Sequence, residues 1–277
     1  MRPLSETTVL VTGATDGLGK ALASELASDG APVLVHGRDE ARIDRTLEDL
    51  RSETVSERVR SYRADFASLR QVRALADEVV ANERQLHVLV NNAGIGTNLP
   101  GGGERGESED GLELRFAVNY LAAFLLTRRL LPLLRGSAPA RIVNVSSAGQ
   151  APIDFDDVML ERAYSGGQAY AQSKLALVML TLDLAEELDG TGVTANCLHP
   201  GTYMPTKMVH ASGACTQDSL ETGVRSTMQL IAAPELEGVS GRYFDRLRDS
   251  RALGQAYDES ARRRLRELSK ELVRRVE

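Results

Sequence analysis

The sequence is poor in cysteine, in unbroken apolar runs and in surplus positive charge, and each shortage removes a class of function. Its two cysteines, Cys197 and Cys215, stand in no metal-ligating or redox spacing, so no metal site is expected. Free thiols in a reducing, cytoplasmic compartment are the default. The most apolar stretch, residues 116–134, is interrupted by Asn119, Arg128, Arg129 and Pro132, which reads as a buried helix rather than a membrane span. Residues 1–8 carry no apolar signal core, so no integral membrane segment is expected. Lys and Arg number 33 against 39 Asp and Glu, a net charge of -6, which gives no electrostatic reason to expect nucleic acid. No repeat, low-complexity tract or linker divides the 277 residues, and 42% hydrophobic with 26% charged residues suits one domain spanning 1–277.

What is present is an alternation of short β-rich runs and helical patterns. Residues 7–11 lead into Thr12-Gly13-Ala14-Thr15-Asp16-Gly17-Leu18-Gly19 and then a helix ending near Gly30. Strand, glycine-rich turn and helix start make a cradle for phosphate, because backbone N–H groups and the helix dipole meet the anion there. Strands are expected at 32–36, 58–64, 87–90, 141–145, 193–198 and 240–244, and helices at 39–51, 68–81 (with Ser68 as N-cap), 112–134, 168–188 and 217–231. Such alternation implies βαβ units and a parallel sheet covered on both faces, with ligands at the carboxyl ends of the strands. Residues 94–111, centred on Gly101-Gly102-Gly103, and 148–169 read as loops. Residues 202–216 read as an irregular lid over the cleft. From 256 to 277, Ala261, Leu265, Leu268, Leu272 and Val276 form one stripe of a C-terminal amphipathic helix whose arginines point away.

Tyr170 and Lys174 lie four residues apart in the 168–188 helix, so they share a face. A phenol titrates near 10, and a neighbouring ammonium favours the phenolate, which makes the pair a candidate acid/base device. Asn119 is a polar amide in an apolar helix and must find partners. His36 and His199 flank strand ends without a paired carboxylate and read as structural; Cys197 reads as core.

Taken in order, these motifs resemble the short-chain dehydrogenase/reductase family, over about residues 7–244. The resemblance rests on the Thr12–Gly19 turn, Asp65 after the third strand, Asn91-Asn92-Ala93-Gly94, Asn119, Ser147, Tyr170-x-x-x-Lys174 and Pro200-Gly201. A finer resemblance, to the retinol-dehydrogenase-like branch, rests on Phe155-Asp156-Asp157, on residues 169–175, and on Gly190-Thr191-Gly192 before Leu198-His199-Pro200-Gly201. Two departures stand out: no N-terminal anchor of the kind many animal members carry, and Pro205 ahead of Thr206 where a threonine usually follows Pro-Gly more closely.

The resemblance implies a single Rossmann-type three-layer α/β sandwich, with a seven-stranded parallel sheet in the order 3-2-1-4-5-6-7. It also implies hydride transfer between NAD(P) and a carbonyl/alcohol pair. Tyr170 would be the general acid or base and Ser147, rather than Ser146, would orient the substrate oxygen. Lys174 would lower the Tyr170 pKa and hold the nicotinamide ribose, and Asn119 would hold a relay water. Cofactor contacts would come from Gly13, Thr15, Asp16, Gly17, Leu18, Gly19, Arg38, Asp65, Phe66, Asn92, Ala93, Gly94, Tyr170, Lys174, Pro200, Gly201 and Thr206. The usual acid closing the second strand is replaced by Gly37, with Arg38 after it, so NADP(H) is expected over NAD(H); Asp16, where many NADP users carry a basic or neutral residue, argues mildly the other way. The apolar side chains of the 148–167 and 202–216 segments point to an apolar carbonyl or alcohol substrate. Family relatives pair the helices corresponding to 112–134 and 168–188, so a homodimer or homotetramer is expected unless the long segment before Tyr170 covers that surface. A cofactor-sensing protein without turnover, an epimerase or dehydratase of the extended relatives, and a non-enzymatic scaffold are the competing readings. The intact Asn119, Ser147, Tyr170 and Lys174 set and the short tail after the seventh strand argue against them.

Overall fold

Strands rich in Val, Leu and Ile, apolar on both faces, can be stable only between two layers of helix, and the chain builds that arrangement. The computed structural model describes residues 2–54, 58–97 and 104–276; the Gly101–Gly103 centre expected for one loop lies outside them. The strands are β1 (Val9–Val11), β2 (Val33–Gly37), β3 (Val59–Arg63), β4 (Val88–Asn91), β5 (Ala140–Val145), β6 (Val193–His199), β7 (Tyr243–Asp245) and β8 (Arg248–Ser250). They form one sheet in the order β3-β2-β1-β4-β5-β6-β7-β8. The first seven are parallel, as expected. β8 is an addition, antiparallel to β7. Its Arg-Asp-Ser sequence has no apolar pattern to betray it, and its exposed charges suit an edge.

Helices α1 (Gly17–Ser28), α2 (Glu40–Glu53) and α7 (Leu220–Ala232) cover one face; α3 (Leu69–Asn82), α4 (Leu114–Gly136), α5 (Gly166–Glu187) and α8 (Glu259–Arg274) cover the other. A short α6 (Lys207–Ser212) interrupts the segment expected to be irregular. Ser68 is the N-cap of α3, but its side chain makes no capping bond; the Leu69 N–H donates to Asp110 instead, at 2.9 Å.

α4 is the one helix among the described residues that is long and apolar enough to cross a membrane, with a mean hydropathy of 1.3 in its best window. The interruptions at Asn119, Arg128, Arg129 and Pro132 therefore do not exclude a span by composition, contrary to the sequence reading. In the fold 72% of that window is buried, against α3 and α5, so its apolar surface already has protein partners. Its second turn, Ala117–Leu121, is π-helical, a widening often found at functional sites.

α8 lies across the face on which α4 and α5 were expected to pair with a second copy. Its stripe of Ala261, Leu265 and Leu272 joins the core. Ser269 hydrogen-bonds the buried Tyr120 hydroxyl of α4 at 2.7 Å. Arg262, itself buried, binds Asp183 of α5 at 2.9 Å and also Glu186. Arg73 of α3 donates to the carbonyls of Val273 and Val276 at 2.6 and 2.9 Å, capping the far end of α8.

Two histidines are built into the sheet ends as neutral rings. His36, closing β2, accepts the Gly13 N–H on Nδ1 at 3.1 Å and so must carry its proton on Nε2, which donates to Ala64 O at 3.1 Å. The ring stacks on Phe66 with centroids 4.3 Å apart. His87, before β4, accepts the Thr8 N–H on Nδ1 at 2.9 Å. Burial pushes both down to about 4.

Two outcomes follow. Between pH 6.5 and 4 the unfolded chain takes up protons on these rings and the folded chain does not, so stability is fully present above 6.5 and lost as pH falls towards 4. Urea midpoints should drop across that window, and less steeply for His36→Gln, which cannot titrate; a flat wild-type profile would contradict the buried neutral rings. Truncation after Tyr257 removes α8 and exposes the α4–α5 surface. Light scattering should then show concentration-dependent self-association absent from the full chain, with a lower melting temperature; unchanged mass and melting temperature would refute the covering role.

Candidate active site

The carboxyl ends of β1, β4, β5 and β6 bring the expected residues to one cleft. At β1 the chain turns sharply through Gly13, whose φ is +65°. A Cβ there would stand 2.9 Å from the Ala93 Cα, so the first turn and the end of β4 touch backbone to backbone. Asn92 holds this contact: its Nδ2 donates to Thr12 O at 2.8 Å, and the Thr12 hydroxyl accepts the N–H groups of Asn92 and Ala93 at 2.9 and 3.0 Å. Its amide nitrogen thus shapes the turn. Deeper, Asn91, Asn144, Thr127 and Thr181 form a buried chain of hydrogen bonds of 2.8–3.0 Å joining β4 and β5 to α4 and α5.

Asp16 caps α1, accepting the Gly17 N–H at 2.8 Å, and binds Lys207 of α6 at 2.8 Å. Although partial burial opposes ionisation, the hydrogen bonds and charge of Lys207 and the Gly17 N–H together hold its carboxyl below the usual range. At the end of β2, a Cβ on Gly37 would lie 2.6 Å from Thr15 Cγ2, leaving no room for an acidic side chain without displacing Thr15. The Arg38 side chain is 69% exposed, with its guanidinium 3.9 Å from Asp65. Asp65 turns its carboxylate back to the Ala67 N–H at 2.9 Å. Phe66 is buried on His36, so any part it plays at the cleft runs through its backbone.

The helix carrying Tyr170 is pinned to the end of β5 by two bonds. The Ser146 hydroxyl donates to Lys174 O at 2.8 Å, and the Lys174 ammonium donates to Val145 O at 3.0 Å. Ser146 is thereby buried and engaged, while the half-buried Ser147 lies near Tyr170, its hydroxyl accepting the Gly149 N–H at 3.0 Å. Strand alternation separates the neighbours as expected. Asn119, inside the π-turn, accepts the Ile95 N–H at 2.8 Å and donates to Ile95 O and Ser173 at 3.1 and 3.0 Å. Gly94 lies between: a Cβ on it would be 3.2 Å from Asn119 Oδ1 and 3.5 Å from Lys174 Nζ.

The electrostatics differ from the spacing argument. Lys174 stands 5.7 Å from the centre of the Tyr170 ring. Burial is the leading influence on both groups: it raises the Tyr170 phenol against the opposing Ser147 hydrogen bond, and pushes Lys174 down to about 8. The expected lowering of Tyr170 by Lys174 therefore does not prevail, and the Tyr170 phenol keeps its proton at neutral pH.

Residues 202–216 pack on the glycine turn and the loop after β4, through Thr206 on Gly17 and Met208 on Gly96. The base of this segment is fixed by Asp218, which accepts the Thr202 N–H at 2.6 Å and the Arg246 guanidinium at 2.5 and 3.1 Å. His199 bonds Thr202 at 3.0 Å, the turn role expected of it. Pro200 and Gly201 are buried, and Thr206 packs on Gly17 and caps α6. Met208 sits over Gly96, and Tyr203, 48% exposed, holds a left-handed φ of +44°. Ile153 and Phe155, expected beside them, instead turn into the core under α8. The Asp218–Arg246 pair was not legible in the sequence: its members are 28 residues apart in no motif. No group of His, Cys, Asp and Glu among the described residues could hold a metal. A cavity of about 560 Å³ opens at the amino ends of β4, β5 and β6, among Leu4, His87, Arg141 and Val193, away from this cleft.

Residues 7–216 match the family described as short chain dehydrogenase. The chain is 40% identical to retinol dehydrogenase 13 of Mus musculus over 284 residues, covering 96% of this chain and 83% of that protein. It is 40% identical to polyprenol dehydrogenase of Mus musculus over 274 residues, covering 92% and 80%. A crystal structure of a protein from Mycobacterium paratuberculosis superposes with a TM-score of 0.78 at 28% identity, covering 97% and 94%. With its sheet order, glycine turn and Tyr170–Lys174 helix, the chain belongs to the short-chain dehydrogenase/reductase family, in its retinol-dehydrogenase-like part, and is an NAD(P)-dependent oxidoreductase acting on CH–OH groups.

Proposed function

We propose that the protein interconverts a carbonyl and an alcohol on an apolar small molecule, with NADP(H) as preferred cofactor and Tyr170 as general acid/base. The observation that carries this reading is the convergence of Tyr170, Ser147, Lys174 and Asn119 beneath one lid. The bound nicotinamide supplies or accepts the hydride. Tyr170, kept neutral by burial, gives its proton to the carbonyl oxygen in reduction and takes one in oxidation. The Ser147 hydroxyl orients that oxygen and stabilises the charge developing on it. Lys174 is a buried ammonium with one hydrogen bond to protein among the described residues, so its remaining donors fit the hydroxyls of a ribose lying over Gly94. Asn119 keeps the Ile95 backbone in place beside it. Gly13, Thr15, Asp16, Gly17, Leu18 and Gly19 would hold the pyrophosphate end, and Ala93, Gly94, Pro200, Gly201 and Thr206 the nicotinamide side.

The cofactor preference rests on the absence of an acid, and of space for one, at Gly37, with Arg38 free to reach a 2′-phosphate. Asp16 weighs less against it than its position suggests, because Lys207 and the α1 N-terminus neutralise its carboxylate. An apolar substrate is supported by Tyr203 and Met208 at the mouth and by relatives named for retinol and polyprenol. Assembly through α4 and α5 is disfavoured, since α8 occupies their outer face.

Tyr170→Phe should bind cofactor normally and lose roughly 10²–10⁴-fold in turnover, read by NADPH absorbance with a panel of apolar aldehydes including retinal. Near-normal turnover would remove the acid/base assignment, and cofactor binding without turnover on any carbonyl by the wild type would favour a sensor. Arg38→Ala should weaken NADPH about tenfold, the low end for a charge-assisted bond at an exposed site, and leave NADH unchanged in fluorescence titrations. Equal wild-type affinities for the two cofactors would overturn the preference.

A further inference from the structure

Arg115 occupies a position that no motif singles out, yet it is the largest fully buried side chain among the described residues. A guanidinium removed from water needs acceptors on all sides. Its Nε donates to Gly96 O at 2.8 Å and its Nη2 to Thr97 O at 2.6 Å. Nη1 faces the Glu113 carboxylate at 3.5 Å and the Tyr164 hydroxyl. Glu113 is also fully buried and caps the start of α4 through the Phe116 N–H at 2.7 Å.

These contacts join three segments. Arg115 and Asn119 are one helical turn apart on α4, and between them they bind the consecutive carbonyls of Ile95, Gly96 and Thr97. Through Tyr164 the same guanidinium reaches the segment leading into α5. Gly166, the first residue of α5, abuts this joint: a Cβ there would overlap the Thr97 carbonyl oxygen and lie 3.2 Å from Arg115 Nη2. Tyr170 follows Gly166 by one helical turn.

We propose that Arg115 is a positioning residue for the reaction: it clamps the β4 loop to the entry of α5, and so sets the Tyr170 phenol relative to Gly94, Asn119 and Lys174. This rests on the acid/base reading of Tyr170. The planar fork suits the task because one rigid group meets two carbonyls, a carboxylate and a phenol at once, which a flexible ammonium does not. Displacements of about 1 Å at a reacting group cost on the order of 10²-fold in rate, so loosening this joint acts on kcat without removing any group that touches cofactor.

Arg115→Met strands Glu113 as a buried charge and is liable to fail in folding, so two milder variants carry the test. Tyr164→Phe removes one hydroxyl from the clamp, and Gly166→Ala pushes the joint apart without changing charge. Both should fold, at some cost in melting temperature, keep the NADPH dissociation constant, and lower kcat by about ten- to a hundredfold on an apolar aldehyde accepted by the wild type, measured beside Tyr170→Phe. Normal kcat in both, beside an inactive Tyr170→Phe, would overturn the clamp alone. Parallel losses of cofactor affinity and kcat would reduce Arg115 to a general stabilising role and also overturn it. An active Tyr170→Phe would remove the site reading on which it rests.

Discussion

The arrangement depends first on the seam between α5 and the end of β5. A helix packed on a sheet through apolar side chains alone could slide or rotate by a fraction of a turn at little cost. Here two buried hydrogen bonds, from Ser146 to Lys174 O and from Lys174 to Val145 O, remove that freedom. Because each donor is shielded from water, breaking either leaves a polar group unsatisfied, which costs more than the bond itself contributes. The seam turns Ser147 towards Tyr170 and holds the ammonium over Gly94. The rest of the cleft is assembled onto it: Asn119 from the π-turn of α4, the glycine turn through Asn92, and the lid through Asp218 and Arg246.

The burial that holds this seam also sets its electrostatics. Lys174 is driven towards neutrality and Tyr170 away from ionisation, because both are removed from water. An ammonium beside a phenol was expected to favour phenolate. Instead Lys174 lies towards the ring, with its proton directed at a backbone carbonyl. Tyr170 thus keeps its proton, and Lys174 keeps hydrogen-bonding capacity beyond its one bond to Val145 O. The same principle governs His36, a neutral ring that links the glycine turn to β3.

The C-terminal helix gives the fold its individual character. Arg262, Arg266 and Asp183 make a network that is buried at Arg262 and Asp183, and the apolar stripe of α8 seals α3, α4 and α5. The α8 stripe packs on α4 and α5 from within the chain, and Ile153 and Phe155 join the same core. Tyr203 and Met208 are left as the exposed large apolar side chains of the 202–216 segment.

The alternation of strands and helices, the glycine turn and the Tyr170–Lys174 face were legible in the sequence because each is local: apolar runs of strand length, glycines at fixed offsets, and side chains four residues apart on a helix; the strand order came with the family resemblance. That Ser146 and Ser147 would face opposite ways was legible for the same reason, since neighbours along a strand point oppositely; the preference for Ser147 came from the family resemblance. Other features depend on residues far apart in the chain. β8 exists because a tight turn folds a polar triplet back onto β7. Arg115 becomes a clamp only when the β4 loop and the entry to α5 close around it, and Asp218 meets Arg246 only once β7 is in place. Whether α8 would lie on the core or in solvent was also left open by its sequence, because an amphipathic stripe states that a helix needs a partner and not which one. Local periodicity and spacing thus determined the elements and which side chains share a face. The buried polar contacts that hold those elements at fixed distances were decided by tertiary structure, since their strength comes from the exclusion of water, which no single segment achieves alone.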